Sequence, residues 1–356
     1  YMGSNKFMPW MSDWTKRNYP EAKNDLCTCF IVRGSTFSRG DGYNAMLTAS
    51  SWMFISSFEK LRKRLINDST IVAMTQLSTH GFPFVTVPTC MFVQFNNHQD
   101  LKGTYIRLED FDRPQWQQPR TLEAIQKPDC GGRDRASAEN FKSIPGWPIA
   151  YWASLGIMRS FDELPPLANI ARPRQGLITG DNNRFLRCWW EVPNSEVGYC
   201  NAEREEAKKS GKVWFPCHKG GEYRKWYGNN AYVVNWQNDG EEIRSFVRNG
   251  RLASRPQNMD FYFREGLTWS ALSSGNFSIR FSPSGFISEH KGTMCFADST
   301  ERHLWCLAAL NSSVAQACLE VLCPTLDFGE GAMGKVPVAI EYSCEAIGRM
   351  AEVNVA

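Results

Sequence analysis

The chain has 356 residues, of which 42% are hydrophobic and 22% charged, with a formal net charge of +3. It is too long for one ordinary core and too apolar for a disordered chain, and it has no run near the ~20 apolar residues a membrane helix needs. Its 12 cysteines and five scattered histidines form no repeated C-x-x-C pair, which favours reduced, mostly buried thiols in a cytosolic protein over disulfides or a metal site.

Along the chain, "NKFMPWMSDWTKRN" places Phe7, Trp10, Met11 and Trp14 at roughly helical spacing. "NDLCTCFIVRGSTF" predicts a second helix, closed by the turn "RGDG" at 39–42. "YNAMLTAS" reads as a short strand of the buried type. "SFEKLRKRLIND" is an amphipathic helix with Phe58, Leu61 and Leu65 on one face. "TIVAMTQL" is another strand, and "VPTCMFVQFN" and "GTYIRLED" read as a strand pair joined by a loop around 96–102. This order suits the second half of an α/β sheet with an antiparallel tail. A lone half would leave one sheet edge exposed, so the start at Tyr1 suggests a chain cut from a longer one.

The segment 114–147 is rich in Pro, Gln, Gly and charge, which predicts a linker or an irregular crossover. "IPGWPIAYWASLGIMRSFDEL" predicts a helix from near Pro148. From Gly176, arginines alternate with aromatics between glycine-polar turns, the texture of a β-rich domain whose loops carry function. "ERHLWCLAALNSSVAQACLEVL" closes it as a helix. The expected organisation is therefore an α/β domain over 1–113, a linker over 114–147 and a β-rich domain over 148–356.

Charge narrows the function. Between 208 and 291 there are 13 basic and 7 acidic residues, mixed with Trp, Tyr, Asn and Gly, which suits a nucleic-acid surface. "GEGAMGKV" at 329–336 nearly matches a phosphate-binding loop, but Val336 stands where a Ser or Thr must hold magnesium. Glu109, Asp110 and Asp112 suit a solvated loop better than a nuclease centre. The Trp, Tyr and Asn of "KWYGNNAYVVNWQNDG" could also stack on sugars, a reading that the cysteine pattern and the missing secretion signal disfavour.

At "YMGSNK", "QGLITGDNNRFLR", "WFPCHKGGEYRKWYGNNAYVVNWQNDG" and "CPTLDFGEGAMGKVPV" the chain resembles the adenine-specific DNA methyltransferases of BREX phage-defence systems, from residue 1 to about 338. The resemblance implies the C-terminal half of a Rossmann-like methyltransferase sheet followed by a β-rich target-recognition domain. It implies S-adenosylmethionine as methyl donor, held upstream of these residues, and double-stranded DNA as partner, with other phage-defence proteins. The cysteine pattern and the lack of a long apolar run lead to the expectation of a cytoplasmic protein with no membrane partner. In that family "MGSNK" follows an Asn-Pro-Pro-Tyr motif, so Tyr1 is expected to be its last residue and the fragment alone to be inactive. A fused restriction–modification enzyme, its nuclease outside this chain, is the related alternative.

Exocyclic N6 of adenine is a poor nucleophile inside a base pair, so such enzymes flip the base out of the duplex. The resemblance makes Tyr1 the aromatic that stacks on the flipped base. Phe82, with Phe84 behind it, is the candidate for the opposite face, against the alternative that both are core residues beside a strand. For DNA contact the candidates are Arg174, Thr179, Asn182, Asn183, Arg184 and Arg187 in a first loop. A second loop offers Lys219, Arg224, Lys225 and Asn229, and a third Arg255, Gln257, Asn258, Ser274 and Asn276. Arg and Lys suit phosphates, while Asn, Gln and Arg suit base edges.

Overall fold

The computed structural model describes residues 2–84, 86–273, 275–324, 327–339 and 354–355. The chain divides into two units, Tyr1–Asp162 and Glu163–Ala356.

In the first unit, α1 (Pro9–Asn18) opens with proline where a first turn needs no N–H partner. The Asp25 carboxylate caps α2 (Leu26–Phe37) by accepting Cys27 N–H at 2.8 Å. Five strands form one sheet: β1 (Tyr43–Ala49), β2 (Thr70–Gln76), β3 (Thr89–Phe95), β4 (Lys102–Arg107) and β5 (Arg133–Ser137), in the order β1-β3-β2-β4-β5. Between β1 and β2 runs α3 (Glu59–Asp68), which buries Leu61 and Leu65 beside Phe58. Its Arg62 is buried too, donating to the carbonyls of Trp52, Ile55 and Gly146, and burial lowers its pKa to about 10.

Four local expectations change here. β3 runs antiparallel between β1 and β2, and β4 lies parallel to β2 on its other side, so β3 and β4 are not paired. The connection must cross the start of β2, where the Thr70 hydroxyl donates to Asn97 O at 2.9 Å and accepts Gln99 N–H at 2.7 Å. β1 is not of the buried type: Tyr43 and Leu47 are exposed. The segment 114–147 is no linker. It contains α4 (Pro114–Gln126), started by proline at its first position, and β5, which pairs with β4 from Lys102↔Ser137 to Ile106↔Arg133. The helix expected from Pro148 starts at Leu155 as α5 (Leu155–Glu163). Gly146 and Trp147 turn through positive φ, and the buried Tyr151 stacks on Tyr105 at 4.7 Å and donates to Gln76 Oε1 at 2.9 Å. Those contacts hold 148–154 against the sheet in a non-helical path.

The second unit is built from short strands. One four-stranded sheet has the order β13-β12-β15-β6, the other β14-β8-β9-β7. In chain order its elements begin with β6 (Ala171–Arg174), α6 (Asn182–Phe185), β7 (Leu186–Cys188), α7 (Arg204–Lys209), β8 (Trp214–His218) and β9 (Tyr232–Asn235). α8 (Gln237–Arg244) follows, its opening residues Asn238, Asp239 and Gly240 all left-handed. β10 (Val247–Arg248) and β11 (Arg251–Leu252) form a separate two-stranded ribbon. β12 (Gly266–Trp269), β13 (Ile279–Ser282), β14 (Ile287–Ser288) and β15 (Met294–Ala297) complete the strands. Leu177, Phe185, Phe215, Trp236, Phe263 and Ile287 share one buried cluster. Between β8 and β13, the buried His218 Nε2 bonds Ser282 Oγ at 2.7 Å while its ring stacks on Phe286. Burial, with the Arg280 charge adding to it, holds the His218 imidazole down to about 3.

The closing helix is two helices, α9 (Thr300–Leu310) and α10 (Ser313–Leu322), bent by 74°. Ser312 caps α10, and the Asn311 amide bridges both backbone groups of Ile279, at 2.9 and 3.2 Å. The 329–336 stretch holds only the single turn α11 (Glu330–Met333), whose Glu330 carboxylate accepts Gln175 N–H. Among the described residues no single helix is long and apolar enough to cross a membrane.

Candidate nucleic-acid interface

In the first unit, the loop 77–88 between β2 and β3 carries the predicted aromatics. Phe82 is partly exposed and Phe84 fully so, the latter at a positive φ of 63°. Neither belongs to the core. The loop is held from behind: His80 Nδ1 lies 2.8 Å from the Asp112 carboxylate, and Ser78 N–H donates to the buried Gln117 side chain at 3.3 Å. The hydrogen bonds from His80 keep the Asp112 carboxyl below the usual carboxylate range. Tyr1 and Ser274 lie outside the described residues.

In the second unit, the first and third predicted loops come together. Ile178 and Arg255 exchange backbone hydrogen bonds at 3.0 and 2.8 Å. Gln257 Nε2 donates to Gln175 Oε1 at 3.0 Å, and Asn258 Nδ2 donates to Gln175 O at 2.9 Å. The second loop meets the segment around Asn276: Gly221, Glu222, Tyr223, Ser270, Asn276 and Ser278 line one recess. Its backbone is built from unusual turns, with positive φ at Gly220, Gly221, Trp226, Gly228 and Asn229. Trp226 adds a one-residue rung to the free edge of β13, donating to Ile279 O at 3.1 Å and accepting Phe281 N–H at 2.7 Å.

Several predicted contact residues serve the framework. Thr179 is buried and bonds Asn182 Oδ1. Arg174 lies over the Phe261 ring and donates to Pro173 O. Arg184 is paired with Glu242 and covers Phe246, and Arg187 folds back onto the carbonyls of Asn183 and Leu186. Lys219 sits over Tyr232 at 4.5 Å, and Lys225 Nζ donates to Asn311 O at 2.7 Å. Asn229 and Asn258 occupy left-handed turn positions, each tied by its amide to a backbone carbonyl. The side chains of Asn183, Arg224, Arg255 and Asn276 are exposed and enter no ion pair among the described residues.

The sequence reading missed four exposed aromatics and a ribbon. Trp189 and Trp190 are 50% and 61% exposed, packed edge to face on a turn that the Glu191 carboxylate fixes by accepting Cys188 N–H at 2.6 Å. Tyr223 and Tyr227 flank Arg224 on the second loop, both exposed. Arg248 and Arg251 sit on the β10–β11 ribbon, whose "RNGR" is a hairpin signal that composition counts pass over.

In a doubly wound sheet an adenosine-bearing ligand ordinarily sits against a glycine-rich turn at a helix N-terminus, with an acidic partner for its ribose. Among the described residues, the concave surfaces of the first unit include two that could hold a ligand. One is an apolar hollow of about 350 Å³ lined by Ala45, Leu47, Met74 and Met91. The other is a polar cleft of about 410 Å³ lined by Arg107, Arg120, Glu123, Asp134 and Trp152. The cleft also carries Gly131, Gly132 and Asp110, but its glycines lead into β5 rather than a helix N-terminus, and no residue of this chain is assigned to the methyl donor.

Residues 1–82 match the Eco57I restriction-modification methylase family. The chain is 40% identical over 98% of its length to the adenine-specific methyltransferase PglX of Lacticaseibacillus casei (strain Zhang). It is 34% identical over 99% of its length to the adenine-specific methyltransferase BrxX of Escherichia coli O9:H4 (strain HS). It spans 29% and 28% of the lengths of those two relatives. Among solved structures it is similar to the Type IIL restriction-modification enzyme MmeI in complex with DNA, with a TM-score of 0.54 and 14% identity, covering 90% of this chain and 42% of that one. Over nearly its whole length, therefore, this chain is homologous to a segment of the adenine-specific methyltransferases PglX and BrxX.

Proposed function

We propose that this chain is part of an enzyme that transfers a methyl group from S-adenosylmethionine to N6 of adenine in duplex DNA, as a cytoplasmic component of phage defence. In this reading the first unit is the C-terminal half of a Rossmann-like catalytic sheet and the second unit recognises the target. The observation that carries it is 40% identity to PglX over 98% of the chain.

The chemistry asks for an extruded adenine stacked between aromatic faces, a stack worth about 1–3 kcal/mol per base. Phe82 and Phe84 suit that task because they are exposed on a braced loop rather than spent in the core. The second unit offers exposed arginine and asparagine on adjoining loops, with tyrosines beside them. Partners in phase with this function are duplex DNA and other defence proteins.

The test is a methyl-transfer assay on the intact protein with labelled S-adenosylmethionine and duplex DNA. Label on adenine N6 is expected, with a loss of about tenfold or more in Phe82→Ala/Phe84→Ala at unchanged duplex affinity. Label on cytosine, or none on DNA, would overturn the reading.

A further inference from the structure

The β10–β11 ribbon belongs to neither larger sheet. Its register pairs Val247 with Leu252 and Arg248 with Arg251 across a two-residue turn. Asn249 and Gly250 have φ of 52° and 73°, the double left-handed geometry that Asn-Gly adopts readily and that matches strand twist.

The side chains contradict a purely structural role. Two arginines face each other directly, a like-charge pair that disfavours the hairpin. Among the described residues neither has a carboxylate or hydrogen-bond partner. Successive strand residues point to opposite faces, so Val247 and Leu252 share the other face, 56% and 61% exposed. A ribbon this small gains nothing in water from repelling cations on one side and bare aliphatics on the other.

Its root is nevertheless fixed. Ala253 N–H donates to Phe246 O at 2.9 Å, and the Phe246 ring packs on the buried Phe185 at 5.2 Å. Gly180, in the first predicted loop, lies so close that a Cβ there would meet the Ala253 carbonyl carbon at 2.8 Å. The return strand leads within four residues to Arg255, which is bonded to Ile178. The ribbon thus projects from the junction of the first and third loops.

From this geometry we infer that the 247–252 ribbon enters the major groove of the target duplex and reads base edges. A two-stranded ribbon fits the ~12 Å major groove and not the ~6 Å minor groove. The Arg248 and Arg251 guanidinium forks match guanine O6 and N7, and the aliphatic pair suits thymine methyl groups. Anionic surroundings also relieve the arginine–arginine repulsion. The inference rests on the second unit being the DNA-recognising part.

The test selects duplexes from a random-core library with the intact protein, with R248A/R251A and with R248K/R251K, thermal melting serving as the folding check. The unaltered protein is expected to enrich one motif. Both variants should lose at least one fixed position of it and bind the selected duplex about tenfold more weakly. Random duplexes should lose less than about threefold with alanine and nothing with lysine, which keeps the charge but not the fork. The inference is overturned if both variants enrich the same motif at the same affinity. It is equally overturned if alanine weakens selected and random duplexes alike and lysine restores both, as a phosphate clamp would. In either case the DNA-recognition reading survives, because the unaltered protein binds. If the unaltered protein retards no duplex, both fall together.

Discussion

At Gly180 the backbone has a φ of 78°, and any Cβ would press on Ala253 and Ser254 at 2.8–3.0 Å. Left-handed backbone costs a non-glycine residue roughly 1–2 kcal/mol before any clash. Gly180→Ala should therefore destabilise the second unit by about 2 kcal/mol or more, read from denaturant midpoints, and displace the ribbon root. The glycine itself was legible in "ITGDNN" as a turn; its close neighbour, far along the chain, was not. His218 makes a second case. Its imidazole is held near 3 in the folded protein against an ordinary value of 6.5. The unfolded chain takes up a proton below 6.5 and the folded one does not, so stability present above that value is lost as pH falls from 6.5 toward 3. The slope from one such proton is at most about 1.4 kcal/mol per pH unit. Melting curves between pH 7 and 5 should fall less steeply for His218→Asn than for the parent, even if the variant starts lower. His303, also buried and lowered, acts in the same direction and remains in both proteins.

At the scale of elements, periodicity served where one element meets one face. α3 was readable because Phe58, Leu61 and Leu65 repeat at helical spacing and are all buried. It failed where a tertiary contact overrides local preference. In "AALNSSVAQ" Ser312 supplies a local cap for α10, but the 74° bend is also tied by a distant contact, Asn311 exchanging hydrogen bonds with both backbone groups of Ile279 on β13. Asn311→Ala leaves the Ile279 N–H without its acceptor, while the Ile279 carbonyl keeps the Trp226 N–H, and should cost about 1–3 kcal/mol in chemical denaturation. Asn311→Asp would keep one acceptor and bring a buried charge, and should cost at least as much. The 114–147 segment failed in the opposite way. Its prolines and glycines looked like a linker, but Pro114 starts α4 and Gly132 leads into β5. Pairing order was also illegible: β2 separates β3 from β4, and only the Thr70 contacts with the crossing loop show why.

For the whole molecule, the mixed α/β architecture with several sheets and the homology to adenine-specific methyltransferases were accessible from long motifs. The contact residues were less so. Sequence spacing gathered the arginines and asparagines of the second unit but could not tell Lys225, spent on Asn311 O, from Arg224, exposed beside two tyrosines. Nor could composition single out Arg248 and Arg251, whose meaning lies in facing each other on an isolated ribbon. The proposed function turns on methylation of adenine N6 at one DNA sequence. The most direct measurement maps N6-methyladenine by single-molecule sequencing in genomic DNA from cells with the gene for this protein intact and disrupted. One motif is expected to be methylated at nearly every copy in the first genome and at none in the second. Identical methylation in both would contradict the proposed function.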